Sequence, residues 1–374
     1  MDRTRRDFVR TALCATCGAM FWPWDTAFAE KRFSLEDPHV KEAYFYKKLQ
    51  DRVVQCGTCP HACVLLPDKR GRCRTKVNMD GKLCTISYGN PCAAHVDPVE
   101  KKPLLHFYPG TKAFSIAVAG CNFRCLNCQN WEISQTAPDK TRNYNLPPEE
   151  VVSMAGRYGC KSIAYTYSEA TTFYEYMLDT SAAARKAGIK NIWVTNGYMS
   201  KAALERLCDV IDAANIDLKS FSEAIYMDLN GGHLAPVLES LKTVHRRGVW
   251  LEITNLMVPT YNDDMDMVKK MCAWILENLG PDYPLHFSRF IPLYKLVHLP
   301  PTPKEVLVEA RRIALKAGLH HVYIGNVPGL AESTACPACG REVIKRRGYT
   351  ILANHVVDHG RCRFCNTPIW GRWS

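Results

Sequence analysis

Cys121, Cys125 and Cys128, in the run Ala119-Gly-Cys-Asn-Phe-Arg-Cys-Leu-Asn-Cys-Gln-Asn130, are the residues whose type and spacing most directly imply chemistry. Thiolates are the ligands that iron–sulfur clusters take, and an electron-transfer cubane uses four of them. Three thiolates at this C-x3-C-x2-C spacing can hold a 4Fe–4S cube and leave one iron open. No fourth thiolate follows nearby, since the next cysteine is Cys160. Three core cysteines, or half of a zinc site, are the competing readings of the bare spacing. Two other cysteine sets flank the loop. Cys336 with Cys339 and Cys362 with Cys365 are matched C-x2-C knuckles about two dozen residues apart, the pattern of a zinc ribbon or rubredoxin-like fold. Cys56, Cys59, Cys63 and Cys73 also offer four thiolates, with His61, Cys84, Cys92 and His95 as substitutes, and their spacing allows zinc or an auxiliary cluster.

Such residues need elements to position them. The apolar run 113–119 reads as a buried strand that ends just before the cysteine loop. Further strands are expected at 161–166, 191–195, 214–218, 249–257, 285–290 and 320–324. Helices are expected at 147–159, 172–187, 200–211, 233–247, 263–279 and 303–317. Pro147-Pro148-Glu-Glu suits a first turn, and Gly188, Gly248 and Gly318 follow last turns. This alternation implies a parallel sheet with helical crossovers. Six or seven units fall short of a closed eight-stranded barrel, so the expected fold is α/β, a partial, open (β/α)6 TIM-like barrel. An N-terminal Cys-rich module and a C-terminal zinc-ribbon or rubredoxin-like module flank it. The expected division is a leader at 1–30, the first metal module at 31–110, the barrel at 111–334 and the ribbon at 335–374. A surface helix is expected over 37–52.

Folds of this kind place working loops at the C-terminal ends of their strands. There the sequence puts Ser168-Glu169-Ala170, Thr195-Asn196-Gly197 and Asp217-Leu218-Lys219. Plain readings stand beside these: a strand-end acid often caps a helix, and Asp217 with Lys219 can be a surface ion pair. Glu252, Thr254, Asn255, His286, Arg289 and Asn326 could face a substrate or serve packing.

The cysteine spacing behind a buried strand resembles the signature of the radical S-adenosylmethionine (SAM) enzymes. Cys59-Pro-His-Ala-Cys63, Asp97-Pro-Val-Glu-Lys-Lys-Pro-Leu-Leu-His-Phe-Tyr-Pro-Gly110, the cysteine loop through Ser134, Val194-Thr-Asn-Gly-Tyr198 and Arg346-Arg-Gly-Tyr349 carry the likeness further. Over 56–374 they are similar to the radical SAM member of the AmmeMemoRadiSam system, a relative of pyruvate formate-lyase activating enzymes. The resemblance implies the same partial barrel, with SAM chelating the open iron and cleaved by one electron to methionine and a 5′-deoxyadenosyl radical. That radical abstracts hydrogen from a glycine of a protein or from a small molecule, while the protein positions and shields it. It further implies that Glu169 holds the SAM amino group, that Thr195 and Asn196 lie near its ribose and carboxylate, and that Asp217 and Lys219 help bind it. Asn127 stands where relatives carry an aromatic residue near the adenine, leaving Phe123 or Trp131 to compensate. Ser168-Glu169-Ala170 replaces Thr-Glu-Pro, keeping the acid and losing the rigid turn. The implied partners are a low-potential reductant of the flavodoxin or ferredoxin type and proteins of the Memo and AMMECR1 types.

The chain's 374 residues, 47% of them hydrophobic, suffice for one large α/β domain with appendages. Its 18 cysteines, mostly in close pairs, favour metal over disulfide. The net charge of +11 is uneven. Residues 31–110 carry 14 Lys+Arg against 8 Asp+Glu, residues 335–374 carry 7 against 2, and residues 111–334 carry 23 against 23. Basic ends around a neutral centre suit an acidic protein partner; nucleic acid is the weaker alternative, and an unpartnered solvated surface is the plain one. Thr4-Arg5-Arg6-Asp7-Phe8, an apolar stretch and Ala27-Phe28-Ala29 resemble a twin-arginine export leader. SAM and reductant argue for the cytoplasm, so the leader leaves export open. Its apolar part, broken by Pro23 and Asp25, is too short to span a membrane, and no other stretch qualifies. Two further function classes remain: a non-catalytic iron–sulfur redox or scaffold protein, and a zinc-ribbon nucleic-acid-binding protein.

Overall fold

A computed structural model describes residues 33–373, so the expected leader lies outside the described residues. The main sheet has eight strands in sequence order. They are β1 (Ala93–Pro98), β2 (Lys112–Ala117), β3 (Ser162–Tyr165), β4 (Lys190–Thr195), β5 (Ala213–Asp217), β6 (Trp250–Met257), β7 (Leu285–Arg289) and β8 (Val322–Gly325). β1 pairs antiparallel with β2, and all later neighbours are parallel. Strands such as Ser162–Tyr165 are buried throughout, as expected where helices cover a parallel sheet. The crossovers contain α1 (Pro148–Arg157), α2 (Tyr174–Lys186), α3 (Lys201–Cys208), α4 (Leu234–Arg246), α5 (Met265–Asn278) and α6 (Lys304–Ala317). Pro148 opens α1 where its missing N–H costs nothing, the Asp264 carboxylate accepts from Asp266 N at 3.0 Å to cap α5, and Gly318 closes α6 at φ 112°. Because the strands run parallel, Ala117, Tyr165, Thr195, Asp217, Met257 and Arg289 all end on one side.

The expected helix over 37–52 is absent. Lys41–Glu42 pairs with Cys84–Thr85, and Tyr46–Lys48 pairs with Val54–Cys56, both antiparallel. Val40, Tyr44, Phe45 and Tyr46 suit a pleated, half-buried surface, and these long-range pairings override any local helical preference. β1 was not expected as a strand either; it carries the end of the Cys-rich segment into the main sheet. Lys76 of this segment forms a fully buried ion pair with Glu175 on α2. Asp97 is held by Lys102 at 2.6 Å, by Lys101 at 2.8 Å and by the Tyr167 hydroxyl.

The last forty residues form short antiparallel strands around Cys336, Val343, Ile344, Cys362 and Ile369. They pack where the main strands begin. His106 Nδ1–H donates to Trp370 O at 2.7 Å, and Arg372 exchanges backbone bonds of 2.7 Å with His106 and Tyr108. Arg346 donates to Thr334 Oγ1, Thr334 lies 2.8 Å from the Tyr323 hydroxyl, and Tyr323 reaches His106 Nε2 at 2.6 Å. Among the described residues, no helix is long and apolar enough to cross a membrane.

Candidate functional site

The cysteine loop leaves β2 through Gly120, whose φ of 119° and surroundings both require glycine. A Cβ there would stand 2.6 Å from Cys73 O and 2.7 Å from Thr75 Cγ2. Gly120 N–H donates to Ile133 O at 2.9 Å, folding the loop onto the short helical turn Trp131–Ser134. Cys121 and Cys125 are buried and Cys128 is half-buried. Their sulfurs are addressed individually: Phe123 N–H meets Cys121 Sγ at 3.3 Å, Asn230 Nδ2 meets Cys125 Sγ at 3.2 Å, and Ser134 Oγ lies 3.0 Å from Cys128 Sγ. Burial, with the Glu169 charge, pushes the Cys121 thiol well up; burial also raises Cys125, opposed by Lys219. Such thiols become thiolates when a bound metal supplies the compensating charge.

Glu169, at the end of β3, spends both carboxylate oxygens on donors. Oε1 accepts from Thr171 N at 2.9 Å, Thr171 Oγ1 at 2.6 Å and Thr195 Oγ1 at 2.7 Å, and Oε2 accepts from Asn196 N at 2.8 Å. Burial raises its pKa and these bonds oppose the rise. Asn196 Nδ2 continues the network to Asn122 Oδ1 at 2.7 Å, and Asn122 Nδ2 donates to Tyr198 O at 2.9 Å. The acid on β3, the polar turn after β4 and the cysteine loop are therefore joined by one chain of hydrogen bonds. Asp217 and Lys219 form a 2.8 Å ion pair at the end of β5, partly open to solvent. Burial pulls the Lys219 pKa down, but Asp217 and Cys125 outweigh it and hold the ammonium charged.

Three expectations are redrawn by geometry. Phe123 is fully buried between Tyr198, at 5.0 Å between centroids, and Tyr226, at 6.3 Å; a Cβ on Gly232 would meet its ring at 2.3 Å. Trp131 is instead exposed and stacks on Tyr294 at 5.4 Å. Glu252 and His286 sit near the starts of β6 and β7, where Glu252 accepts from Leu105 N, His106 N and His286 Nε2. They tie down the turn under the C-terminal module rather than face the strand ends. Asn122 and Asn230 went unnoticed in sequence, where nothing distinguishes an asparagine that addresses a thiol from one in any loop. The side-chain oxygens of Asn127, Asn230 and Asn255 are buried without a protein partner, as polar atoms waiting on a bound group would be.

The C-terminal thiols converge closely. Among the described residues, Cys336, Cys339, Cys362 and Cys365 are the only group of three or more His, Cys, Asp or Glu side chains whose ligand atoms all lie within 4.8 Å of one another. Cys336 and Cys365 are 3.6 Å apart and Cys339 and Cys362 3.8 Å, near the roughly 3.8 Å that tetrahedral zinc bonds of about 2.3 Å dictate. Burial pushes the Cys336 thiol up, and the Thr367 hydroxyl and amide bring Cys365 down. A closed four-thiolate set is a metal-binding arrangement without an open position.

Residues 115–275 match the Radical SAM superfamily. An uncharacterised protein of Methanocaldococcus jannaschii is 46% identical over 332 residues, covering 88% of this chain and 99% of that protein. The pyruvate formate-lyase 1-activating enzyme of Escherichia coli K12 is 26% identical over 224 residues, covering 56% of this chain and 91% of the enzyme. A solved domain of a pyruvate-formate lyase-activating enzyme from Bacteroides vulgatus covers 44% of this chain at 18% identity with a TM-score of 0.39. The chain belongs to the radical SAM superfamily, with the α/β fold and parallel sheet described above. Membership implies a 4Fe–4S cluster and SAM, and with the similarity to activating enzymes it indicates an enzyme of this superfamily.

Proposed function

We propose that this protein cleaves SAM reductively at a 4Fe–4S cluster held by Cys121, Cys125 and Cys128, and uses the 5′-deoxyadenosyl radical to abstract hydrogen from a partner protein or small molecule. The observation that carries the reading is the hydrogen-bonded chain from Glu169 through Asn196 and Asn122 to the cysteine loop, because it fixes three strand ends relative to one another. When bound, the cluster supplies the electron that breaks a carbon–sulfur bond of SAM. Asn230 and the Phe123 amide orient the Cys125 and Cys121 sulfurs. Lys219, kept charged by Asp217, offsets thiolate charge and offers a cation at the strand ends. Glu169 holds the β4 turn in place with its remaining acceptor capacity directed at the SAM amino group, while Thr195 and Asn196 serve its ribose and carboxylate. The exposed Trp131–Tyr294 stack is the aromatic surface for adenine in place of Asn127, while Phe123 supports the loop from behind. The buried sheet around these groups excludes water from a radical.

We further read the sheet as a partial TIM-like barrel over 111–334, between an N-terminal metal module at 31–110 and a ribbon at 335–374 that holds structural zinc on Cys336, Cys339, Cys362 and Cys365. Similarity in the quoted motifs supports the AmmeMemoRadiSam enzyme type, a flavodoxin- or ferredoxin-type reductant, and Memo-type and AMMECR1-type partners. The need for SAM and reductant supports a cytoplasmic site of action. The test is anaerobic reconstitution with iron and sulfide, reduction with dithionite, and addition of SAM. The expected product is 5′-deoxyadenosine, and its absence from a fully loaded protein would sink the enzymatic reading. Deuterium transfer from labelled candidates into that product then identifies the substrate.

A further inference from the structure

The segment that carries Cys56, Cys59, Cys63 and Cys73 touches the cysteine loop through His61 and Cys73. Cys56 N–H donates to Cys63 O at 2.9 Å across the strands Val54–Cys56 and Val64–Leu65, and Ala62 N–H donates to Cys59 O at 3.1 Å in the turn between them. Cys56, Cys63 and Cys73 all lie within electrostatic reach of Cys59. The four thiols therefore face one region, yet among the described residues only the ribbon thiols approach within 4.8 Å as a group. Thiolates on a single tetrahedral ion must stand about 3.8 Å apart. Those on the outer corners of a cubane stand farther apart, because the cube lies between them. Cys56, Cys59, Cys63 and Cys73 form no close group of the kind the ribbon thiols make, so the N-terminal four do not follow the single-ion set.

The surroundings agree with a cluster. Thr58 Oγ1 lies 3.7 Å from Cys56 Sγ and Thr75 Oγ1 lies 3.2 Å from Cys73 Sγ, the hydroxyl contacts to sulfur that tune cluster potentials. Arg74 and Arg124 each lie within reach of both Cys73 and Cys121. Arg124 binds the carbonyls of Arg72, Cys121 and Phe123. His61 Nε2–H donates to Asn122 O at 2.9 Å, and the Cys73 carbonyl closes on Gly120. The two cysteine sets thus share backbone contacts and two guanidinium groups.

We infer that Cys56, Cys59, Cys63 and Cys73 bind an auxiliary 4Fe–4S cluster whose four iron atoms are all ligated by protein. Fully ligated, it has no open iron for SAM and serves as a one-electron carrier. It takes an electron from a flavodoxin- or ferredoxin-type donor, which is oxidised by one electron, passes from the 2+ to the 1+ state, and returns to 2+ on giving that electron to the centre at Cys121. This last role rests on the reading of the Cys121 loop proposed above; the binding of the cluster does not.

The test is metal, sulfide and Mössbauer analysis of the anaerobically reconstituted full chain. Two cubanes predict about eight iron and eight sulfide, with one zinc in the ribbon. The variant Cys121→Ser/Cys125→Ser/Cys128→Ser should retain about half the iron as a cubane whose reduced EPR signal is unchanged by SAM. Cys59→Ser/Cys73→Ser should lose the complementary half and keep any SAM-sensitive signal. Wild-type protein with about four iron and two zinc, or a Cys121 triple variant free of cluster, would overturn the inference. If the Cys59→Ser/Cys73→Ser variant does not fold, the wild-type stoichiometry decides. The reading of the Cys121 loop fails separately, by the absence of any SAM-sensitive signal from reconstituted wild-type protein in which the auxiliary cluster is loaded.

Discussion

Glu169 accepts four hydrogen bonds on two oxygens, all from donors at the ends of β3 and β4. Glu169→Gln keeps the shape but turns an amide NH2 toward at least one of those donors. The expected cost is about 2–4 kcal/mol of stability, with weakened SAM binding and an unchanged iron content. Thermal unfolding, equilibrium SAM binding and iron analysis check the three parts, and an unaltered melting temperature would contradict the described network. Cys125→Ala should abolish SAM cleavage, measured as 5′-deoxyadenosine; retained cleavage in that variant would refute the ligand assignment. At this scale the cysteines, Glu169 and the Asp217–Lys219 pair were legible in sequence, because their spacing or strand-end position is local. Asn122 and Asn230 were not, since their partners lie 74 and 105 residues away.

The loops depend on close backbone approach, which places the next prediction at the level of elements. Gly120→Ala forces a Cβ onto Cys73 O in a backbone conformation that L residues avoid. A loss of about 3 kcal/mol or more is expected, together with lowered iron uptake, because the loop must pull away from the N-terminal segment. Melting temperature and iron content after reconstitution measure both effects; a variant that loads and melts like the parent would show that the two segments are not in contact. Every strand of the main sheet except β1, and its helices, were readable from periodicity, with ends shifted by a few residues. The expected helix over 37–52 failed because cross-strand partners as distant as Cys84 and Thr85 set its conformation.

Two buried features hold the whole molecule together. Lys76→Met leaves Glu175 charged and unpaired in the core, at an expected cost of about 3–5 kcal/mol by denaturant unfolding. Lys76→Met/Glu175→Leu should recover much of it; equal loss in both variants would argue against the ion pair. The second feature is the histidine cluster under the C-terminal module. Burial pushes His321 down to about 4, and burial with the His321 charge holds His106 well below its ordinary value. The folded state then binds fewer protons than the unfolded chain, whose histidines titrate near 6.5. Their contribution is complete above that pH and is lost as the pH falls from about 6.5 toward 4, amounting to about 3 kcal/mol for His321 alone. Unfolding midpoints should therefore drop on acidification over this range, and His321→Leu should flatten the slope. An identical slope in that variant would exclude His321 as its source.

Sequence by itself determined the features that are local: the C-x3-C-x2-C loop, the paired ribbon knuckles, the alternation of strand and helix, and the side of the sheet on which the motifs fall. Each rests on a spacing or a period that a short segment carries in full. Only the tertiary structure decided which residues from remote segments converge. It set Asn122 against Asn196 and Asn230 against a cysteine, placed Glu252 and His286 at the opposite ends of their strands from the motifs, and brought Cys73 against Gly120. It also decided which four-cysteine set converges tightly: the ribbon thiols all lie within 4.8 Å of one another. Such distances follow from register and packing between segments far apart in the chain, and cysteine spacing alone carries no information about them.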